Sequence, residues 1–170
     1  MNLADYIRDV EDFPVEGIVF KDITPLLQAP RAFRSAVDQM LEQASPVDYD
    51  VIAAPDARGF IFGVPMALRA GVPFVPIRKP GKLPYSTVGY DYELEYGSDR
   101  LEMHIDAVPS GQRVLLVDDL LATGGTIRAC GELIRKQGGV VAAYSFLIEL
   151  GFLEGRSKLG DAQVKRVLSY

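Results

Sequence analysis

Val114-Leu115-Leu116-Val117-Asp118-Asp119-Leu120-Leu121-Ala122-Thr123-Gly124-Gly125-Thr126 is the stretch from which the rest of the chain can be read. Its four leading apolar residues predict a strand buried on both faces, as in a parallel sheet. Two carboxylates sit where that strand is expected to end. A turn of small residues, glycines and threonines follows, and then a helical pattern with Ile127, Cys130, Leu133 and Ile134 on one face. Backbone N–H groups of a tight glycine-containing turn, together with a helix N-terminus, form a cup for a phosphate. Thr123 and Thr126 can add hydroxyl donors. Adjacent carboxylates repel a phosphate but suit sugar hydroxyls, as acceptors, or a hydrated Mg²⁺. The stretch is therefore expected to hold a sugar phosphate, with the phosphate on residues 122–126 and the hydroxyls on Asp118 and Asp119.

Outward from this stretch, the chain of 170 residues is expected to form one domain with a full core. Its formal charge of −5 argues against general nucleic-acid affinity, so any anionic ligand must be met by local basic clusters. Cys130 is the single cysteine, which excludes a disulfide within the chain, and its place on an apolar helix face predicts a buried, inert thiol. The single histidine, His104, leaves little for His-based triads or metal sites and reads as a strand residue. No signal peptide is evident, and no apolar run approaches the roughly 18 residues of a membrane span. A soluble cytoplasmic protein without nucleic-acid or membrane partners is expected. No Gly-x-x-x-x-Gly-Lys-Ser/Thr or Gly-x-Gly-x-x-Gly pattern occurs, which excludes a P-loop and a dinucleotide fingerprint.

The remaining elements follow in order. Asn2 as N-cap, with Asp5 after it, predicts a short helix over residues 2–10. Residues 13–22 read as an apolar loop or short extended segment, because Pro14 and Gly17 interrupt it. Pro30 opens a helix that runs to about Ala44. Residues 50–54 form a buried strand, followed by the turn Pro55-Asp56-Ala57-Arg58-Gly59 and an apolar helix over 60–70 that contains Pro65. Residues 71–77 form a strand leading into Arg78-Lys79-Pro80-Gly81-Lys82-Leu83-Pro84. Those three basic residues need an anionic partner or else form a solvated loop. Residues 91–105 alternate as a β-hairpin with one wet face. Gly138-Gly139 stops the helix after the phosphate turn. Strands over 140–148 and 164–170 complete an α/β fold with a mostly parallel central sheet flanked by helices. In such a sheet ligands sit at the carboxyl ends of the strands, where Asp56, Arg78 and Asp118 fall.

The Val117–Thr126 run resembles the phosphoribosyl-pyrophosphate signature of the type I phosphoribosyltransferases, and its wording is most similar to the adenine-specific branch. Phe13-Pro14-Val15-Glu16-Gly17-Ile18-Val19-Phe20-Lys21-Asp22 resembles that branch's base-covering hood, Asp56-Ala57-Arg58-Gly59-Phe60 its pyrophosphate loop, and Ile77-Arg78-Lys79-Pro80-Gly81-Lys82-Leu83-Pro84 its basic lid. Leu94-Glu95-Tyr96-Gly97 and Gly155-Arg156-Ser157-Lys158-Leu159 are similar to two further family elements. The resemblance extends from about Asp12 to Leu159 and departs from the pattern at Lys21 (usually arginine), Ala57 (usually serine) and Pro80 (commonly basic).

The resemblance implies a small N-terminal hood over residues 1–35 and a flexible lid and hairpin over 78–105 within a single domain. It implies transfer of the 5-phosphoribosyl group from phosphoribosyl pyrophosphate to adenine, giving AMP and pyrophosphate. In that reading Asp118 and Asp119, with Ala122, Thr123, Gly124, Gly125 and Thr126, hold the phosphoribosyl group. Asp56, Ala57, Arg58, Arg78, Lys79 and Lys82 hold the pyrophosphate, with a cis peptide between Asp56 and Ala57. Val19 and Lys21 meet the purine edge through their backbones, and Phe20 stacks on its face. Glu95 handles the base proton, so that Glu95, Asp118 and Asp119 are the catalytic set. Mg²⁺ arrives on the phosphoribosyl pyrophosphate, with no first-shell protein ligand, and the protein is a homodimer. The residues alone leave other readings open: core packing for Phe20, a surface ion pair for Arg58, one solvated strand acid among several for Glu95. Phosphoribosyltransferases for other bases are the nearest enzyme rivals. A non-catalytic regulator that senses phosphoribosyl pyrophosphate is the rival from another class, but it would usually carry a DNA-binding extension, which is not expected in an acidic chain of 170 residues.

Overall fold

The computed structural model describes residues 1–93 and 97–170 and divides the chain into two compact units, Met1–Gln39 and Met40–Tyr170. In the first unit, Asn2 caps a 3₁₀ turn, Leu3–Tyr6, accepting from the Ala4 N–H at 3.3 Å. The helix expected to reach residue 10 stops at Tyr6, because the chain then extends into β1 (Arg8–Val10). This strand pairs antiparallel with β2 (Phe20–Asp22). Asp22 closes the entry to α1 (Thr24–Gln28) by accepting from the Thr24 N–H at 2.9 Å. Arg8 and the Thr24 amide hold the Asp22 carboxyl below its ordinary pKa, the backbone bond being the larger cause. The helix α2 (Pro30–Ala44) starts at its proline, as the sequence predicts, and buries Ala32, Ala36, Val37, Met40 and Ala44.

The second unit is built on β3 (Val51–Pro55), α3 (Arg58–Ala70), β4 (Phe74–Ile77), the hairpin β5 (Thr87–Glu93) and β6 (Ser98–His104), β7 (Arg113–Leu121), α4 (Gly125–Lys136), β8 (Val140–Glu149) and β9 (Gln163–Ser169). Two short 3₁₀ turns, Gly151–Leu153 and Gly155–Leu159, lie between β8 and β9. The central sheet has the order β4-β3-β7-β8-β9, and all its pairings are parallel. All five residues of β3 are buried, as expected of a strand covered on both faces.

The period-2 alternation of the strands separates the two covering helices. Val51, Ala53, Val114 and Leu116 join Ile127, Cys130, Leu133 and Ile134 of α4 and Leu101 and Met103 of β6 in one core cluster. The alternate residue Ala54 instead meets α3 at Gly59 and Gly63. So α3 lies on one face of the sheet, and α4 with the hairpin lies on the other. The hairpin starts at Thr87, earlier than the expected residue 91, and keeps its wet face at the exposed Asp91 and Glu93. Pro65 lies inside α3, and α3 ends at Gly71 with φ +70°, the left-handed cap that glycine supplies without steric cost. Among the described residues no helix is long and apolar enough to cross a membrane.

Close approach of α3 to the sheet leaves no room for a side chain at Gly63, where a Cβ would lie 2.8 Å from Phe74 Cε2 and 3.1 Å from Ala54 Cβ. Gly63→Val is therefore expected to lower stability by about 1–3 kcal/mol through overpacking, despite valine's better helix propensity. The midpoint of urea unfolding measures it. A midpoint equal to wild type would show that α3 sits farther from β3 than described.

Candidate active site

The site begins where two strands part. The ladder between β3 and β7 runs from the Val51–Val114 pair to the Ala53–Leu116 pair and stops. Ile52 and Asp56 donate to Pro73 and Ile77 on the β4 side, so the alternate position Pro55 faces β7, and proline has no N–H to offer there. β7 continues alone with β8 to the Leu121–Glu149 pair. This point is also where the strand order reverses, since the chain goes from β3 outward to β4 and later returns to β7 on the other side. Crevices at such switch points are the usual ligand sites of open α/β sheets. A cavity of about 410 Å³ opens here, lined by Pro55 to Arg58 on one side and by Asp118 to Ile127 on the other.

One wall is the glycine turn and helix start that the sequence analysis expects to act as a cup. Gly124 takes φ +79° as the N-cap of α4, and no side chain caps that helix. The first N–H groups of a helix have no intrahelical acceptor, so those of α4 face the cavity with their hydrogen-bonding capacity and positive end of the dipole unused. A Cβ on Gly125 would meet nothing within 4 Å, so this side of the turn is open. Thr126 also bonds the Tyr92 hydroxyl, whose pKa burial pushes up. That hydroxyl lies 3.3 Å from Asp99 Oδ2, which links the cup to the hairpin.

The acids are placed differently from expectation. The strand does not end at Asp118 and Asp119 but runs on to Leu121. Adjacent strand residues point to opposite faces. The two carboxyl groups nevertheless stay within reach of each other, sharing a side-chain hydrogen bond. Asp119 is buried on the α3 face and pairs with Arg58, whose Nε is 3.0 Å from its Oδ2. Asp118 is close enough to α4 to raise the Cys130 thiol further, which burial already pushes well up. The Asp119 N–H donates to Asp118 Oδ1 at 2.9 Å. Burial, and then repulsion from Asp119, push the Asp118 carboxyl well above its ordinary pKa. Burial raises Asp119 too, against the pull of Arg58.

Of the residues expected to hold pyrophosphate, Asp56, Ala57 and Arg58 line the cavity, and the Asp56–Ala57 peptide is cis, as the resemblance implied. Arg78 joins them through Asp56, its Nε donating to Oδ2 at 2.8 Å. Its backbone also exchanges two hydrogen bonds with Glu102 of β6, at 2.9 and 2.7 Å, so the basic loop starts from an anchored residue. Lys79 does not line the cavity and is ion-paired with Asp99, while Lys82 is exposed. Val19, Phe20 and Lys21 belong to the first unit. Val19 is exposed, Phe20 meets Phe13 edge to face at 5.2 Å, and Lys21 Nζ is 2.7 Å from Asp9 Oδ1. Glu95 lies outside the described residues. His104 is a β6 residue and Cys130 is buried, both as expected.

Sequence reasoning missed two supports of the site. One is the set of carboxylates that hold its cations: Asp119, Asp56 and Asp99. The other is Gly155, which backs the cup from the 3₁₀ turn after β8. Only the similarity of residues 155–159 to a family element marked the latter, without a role.

The sequence family described as the phosphoribosyl transferase domain matches residues 22–158. A protein of Alkaliphilus metalliredigens named adenine phosphoribosyltransferase is 56% identical over 170 residues, all of both chains. The crystal structure of adenine phosphoribosyltransferase from Thermoanaerobacter pseudethanolicus superposes with a TM-score of 0.96 at 52% identity, covering 99% of this chain and 98% of that one. The Saccharomyces cerevisiae adenine phosphoribosyltransferase, solved with an imino-altritol bisphosphate and adenine, superposes at 0.88 with 42% identity, covering 95% and 94%. The chain belongs to the phosphoribosyltransferase family and, within it, to the adenine phosphoribosyltransferases.

The raised pKa of Asp118 has a thermodynamic consequence. A carboxyl that binds its proton more tightly in the folded chain than in the unfolded one makes stability fall as pH rises from about 4, its ordinary pKa, to its raised value. Asp118→Asn removes that loss and can keep the bond from the Asp119 N–H. It is expected to raise the melting temperature of the ligand-free protein, more at pH 8 than at pH 4, while abolishing turnover. A gain of about 1 kcal/mol would appear as about 2–4 °C in scanning calorimetry. A variant that melts below wild type at pH 8 would contradict the assigned strain.

Proposed function

We infer that this protein transfers the 5-phosphoribosyl group from phosphoribosyl pyrophosphate to adenine, forming AMP and releasing pyrophosphate. The observation that carries the reading is the cavity itself. An uncapped helix N-terminus, one buried and one half-buried carboxylate and Arg58 converge at the β3–β7 switch point, in a chain whose full-length relatives bear that enzyme's name.

In this mechanism the backbone N–H groups of residues 122–126 and the Thr123 hydroxyl take the 5′-phosphate. Binding energy spent there fixes C1 of the ribose relative to the incoming base. Asp118 and Asp119 accept the ribose hydroxyls. Breaking the C1–O bond places positive charge on the sugar and negative charge on the leaving group. Two acids that are costly to ionise together gain most when a cation develops beside them, so they favour the transition state over the ground state. Arg58, Arg78, Lys79 and Lys82, with the backbone at Asp56 and Ala57, neutralise the pyrophosphate. Arg58, Arg78 and Lys79 are held in place by Asp119, Asp56 and Asp99. Mg²⁺ brought on the pyrophosphate would supply further positive charge to the leaving group.

Phe20 stacks on adenine, Val19 and Lys21 meet its edge through their backbones, and residues 1–35 form the base-covering region. Glu95 takes or relays the N9 proton. The enzyme is cytoplasmic, with small molecules rather than nucleic acid or membrane as partners, and forms a homodimer. An exposed apolar row on α3, Val64 at 46% and Leu68 at 82% exposure, supports the dimer.

The direct experiment is AMP formation from adenine and phosphoribosyl pyrophosphate with Mg²⁺, beside hypoxanthine, guanine, xanthine and orotate. Faster turnover of another base would sink the adenine reading. Glu95→Gln is expected to cut the single-turnover rate by about 10²–10⁴-fold with little change in phosphoribosyl pyrophosphate affinity, while Glu93→Gln loses little. A Glu95→Gln rate within a few-fold of wild type would mean that the proton leaves to water. For the dimer, sedimentation should show two copies for wild type and one for Leu68→Asp. A wild-type monomer would refute it.

A further inference from the structure

The side of the cup turned away from the ligand is closed by one backbone contact. A Cβ built on Gly155 would lie 2.1 Å from the Ala122 carbonyl oxygen and 3.1 Å from the Gly124 nitrogen. A Cβ on Gly124 would lie 2.6 Å from the Gly155 carbonyl oxygen. Two glycines, one from each segment, are what let the backbones approach this closely. Gly155 does not need glycine for a positive φ, so the contact alone excludes a side chain there.

Both partners in that contact are tied to the same residue. Glu149, 7% exposed at the end of β8, is the register partner of Leu121, and the Leu150 N–H donates to the Leu121 carbonyl at 2.9 Å. Ala122 directly follows the last residue of that strand. On the other side, Arg156 follows Gly155 and grips Glu149 with both arms of its guanidinium, Nε to Oε1 at 2.9 Å and Nη2 to Oε2 at 2.7 Å. Arg156 Nη1 also donates to the Val164 carbonyl at 3.3 Å, and Arg166 adds a second cation to Glu149 at 3.1 Å. The path Ala122–Leu121–Glu149–Arg156–Gly155–Ala122 is thus a closed ring of covalent, ladder, ion-pair and van der Waals links. A planar bidentate fork fixes distance and orientation together, which a point charge does not.

We propose that Gly155, Arg156 and Glu149 form a positioning unit that presses the Ala122–Gly124 backbone into the shape that receives the 5′-phosphate. None of the three touches the ligand. They act through the turn, and the inference rests on the assignment of residues 122–126 to that phosphate.

The measurement is the contribution of the phosphate to binding, taken as the Kd of adenosine divided by the Kd of AMP, by calorimetry on the full chain. Loss of fold or of the base site moves both constants together and leaves the ratio alone. Gly155→Ala is expected to reduce the ratio by roughly 10–100-fold, the scale of a displacement near 1 Å in a binding geometry. Arg156→Gln should reduce it less, and Arg156→Lys should fall between Arg156→Gln and wild type, since it restores charge without the fork. Thermal melts identify which variants are folded, and if Gly155→Ala does not fold, the Arg156 pair decides. An unchanged ratio in any folded Gly155→Ala or in Arg156→Gln overturns the proposal, as does an equal weakening of AMP and adenosine. A wild-type ratio near 1 overturns the phosphate assignment itself, which is a separate result from a variant keeping a large wild-type ratio.

Discussion

The early end of the β3–β7 ladder governs everything else in the second unit. A parallel sheet is stable where each strand is paired and covered on both sides. Here the two central strands separate after three residue pairs, at the point where Pro55 has no donor for its neighbour. The gap cannot be filled by apolar side chains, because the backbone on both sides turns directly into helices. The N-terminus of α3 stands on one side and that of α4 on the other. Two helix N-termini facing one cleft give it a positive backbone field before any side chain is counted. The carboxylates of β7 and the polyanionic ligand answer the same field.

Such a cleft gathers cations and acids at close quarters, and ion pairs hold them in place. Arg58 reaches back to Asp119, Arg78 to Asp56 and Lys79 to Asp99. Each pair joins a residue expected to meet the ligand to an acid on a different element. The pairs at the protein surface contribute little to stability, because water screens them and their side chains lose rotamer freedom. Their value lies in keeping cations near their working positions, so that less ordering remains to be done on binding. Asp118 shows the strain most directly, in a pKa that burial and the neighbouring Asp119 raise against the pull of Arg58.

How much of this was legible in the sequence follows from distance along the chain. The phosphate turn was legible because strand, glycines, threonines and helix start lie within thirteen consecutive residues, and each has a local conformational reason. The sheet was legible from buried apolar runs separated by helices. The extension of β7 past Asp119 was not, because Asp and Leu in sequence do not reveal that β8 continues beside them to Glu149. The ion pairs that hold the cations span 20 to 61 positions, and no periodicity reports them. Gly155 was hidden for the same reason: its need for glycine is set by a carbonyl 33 positions away, not by its own φ.

The departures from the family pattern can be weighed by the same physical test, which is whether the atom that changed could take part. At position 57 the usual serine is alanine, but Ala57 adopts φ −101° and ψ −34° as the residue before α3, with no side-chain cap on that helix. What this position offers an anion is its backbone and the helix N-terminus, and neither depends on a hydroxyl. At position 21 the usual arginine is lysine, and its ammonium is taken by Asp9 across the β1–β2 pair. A lysine occupied in this way leaves only its main chain for a purine edge, which is the part the change from arginine does not alter. Both departures fall where the proposed contacts run through main-chain atoms. The arginines and lysines proposed to meet pyrophosphate through their charge, at 58, 78, 79 and 82, match the pattern.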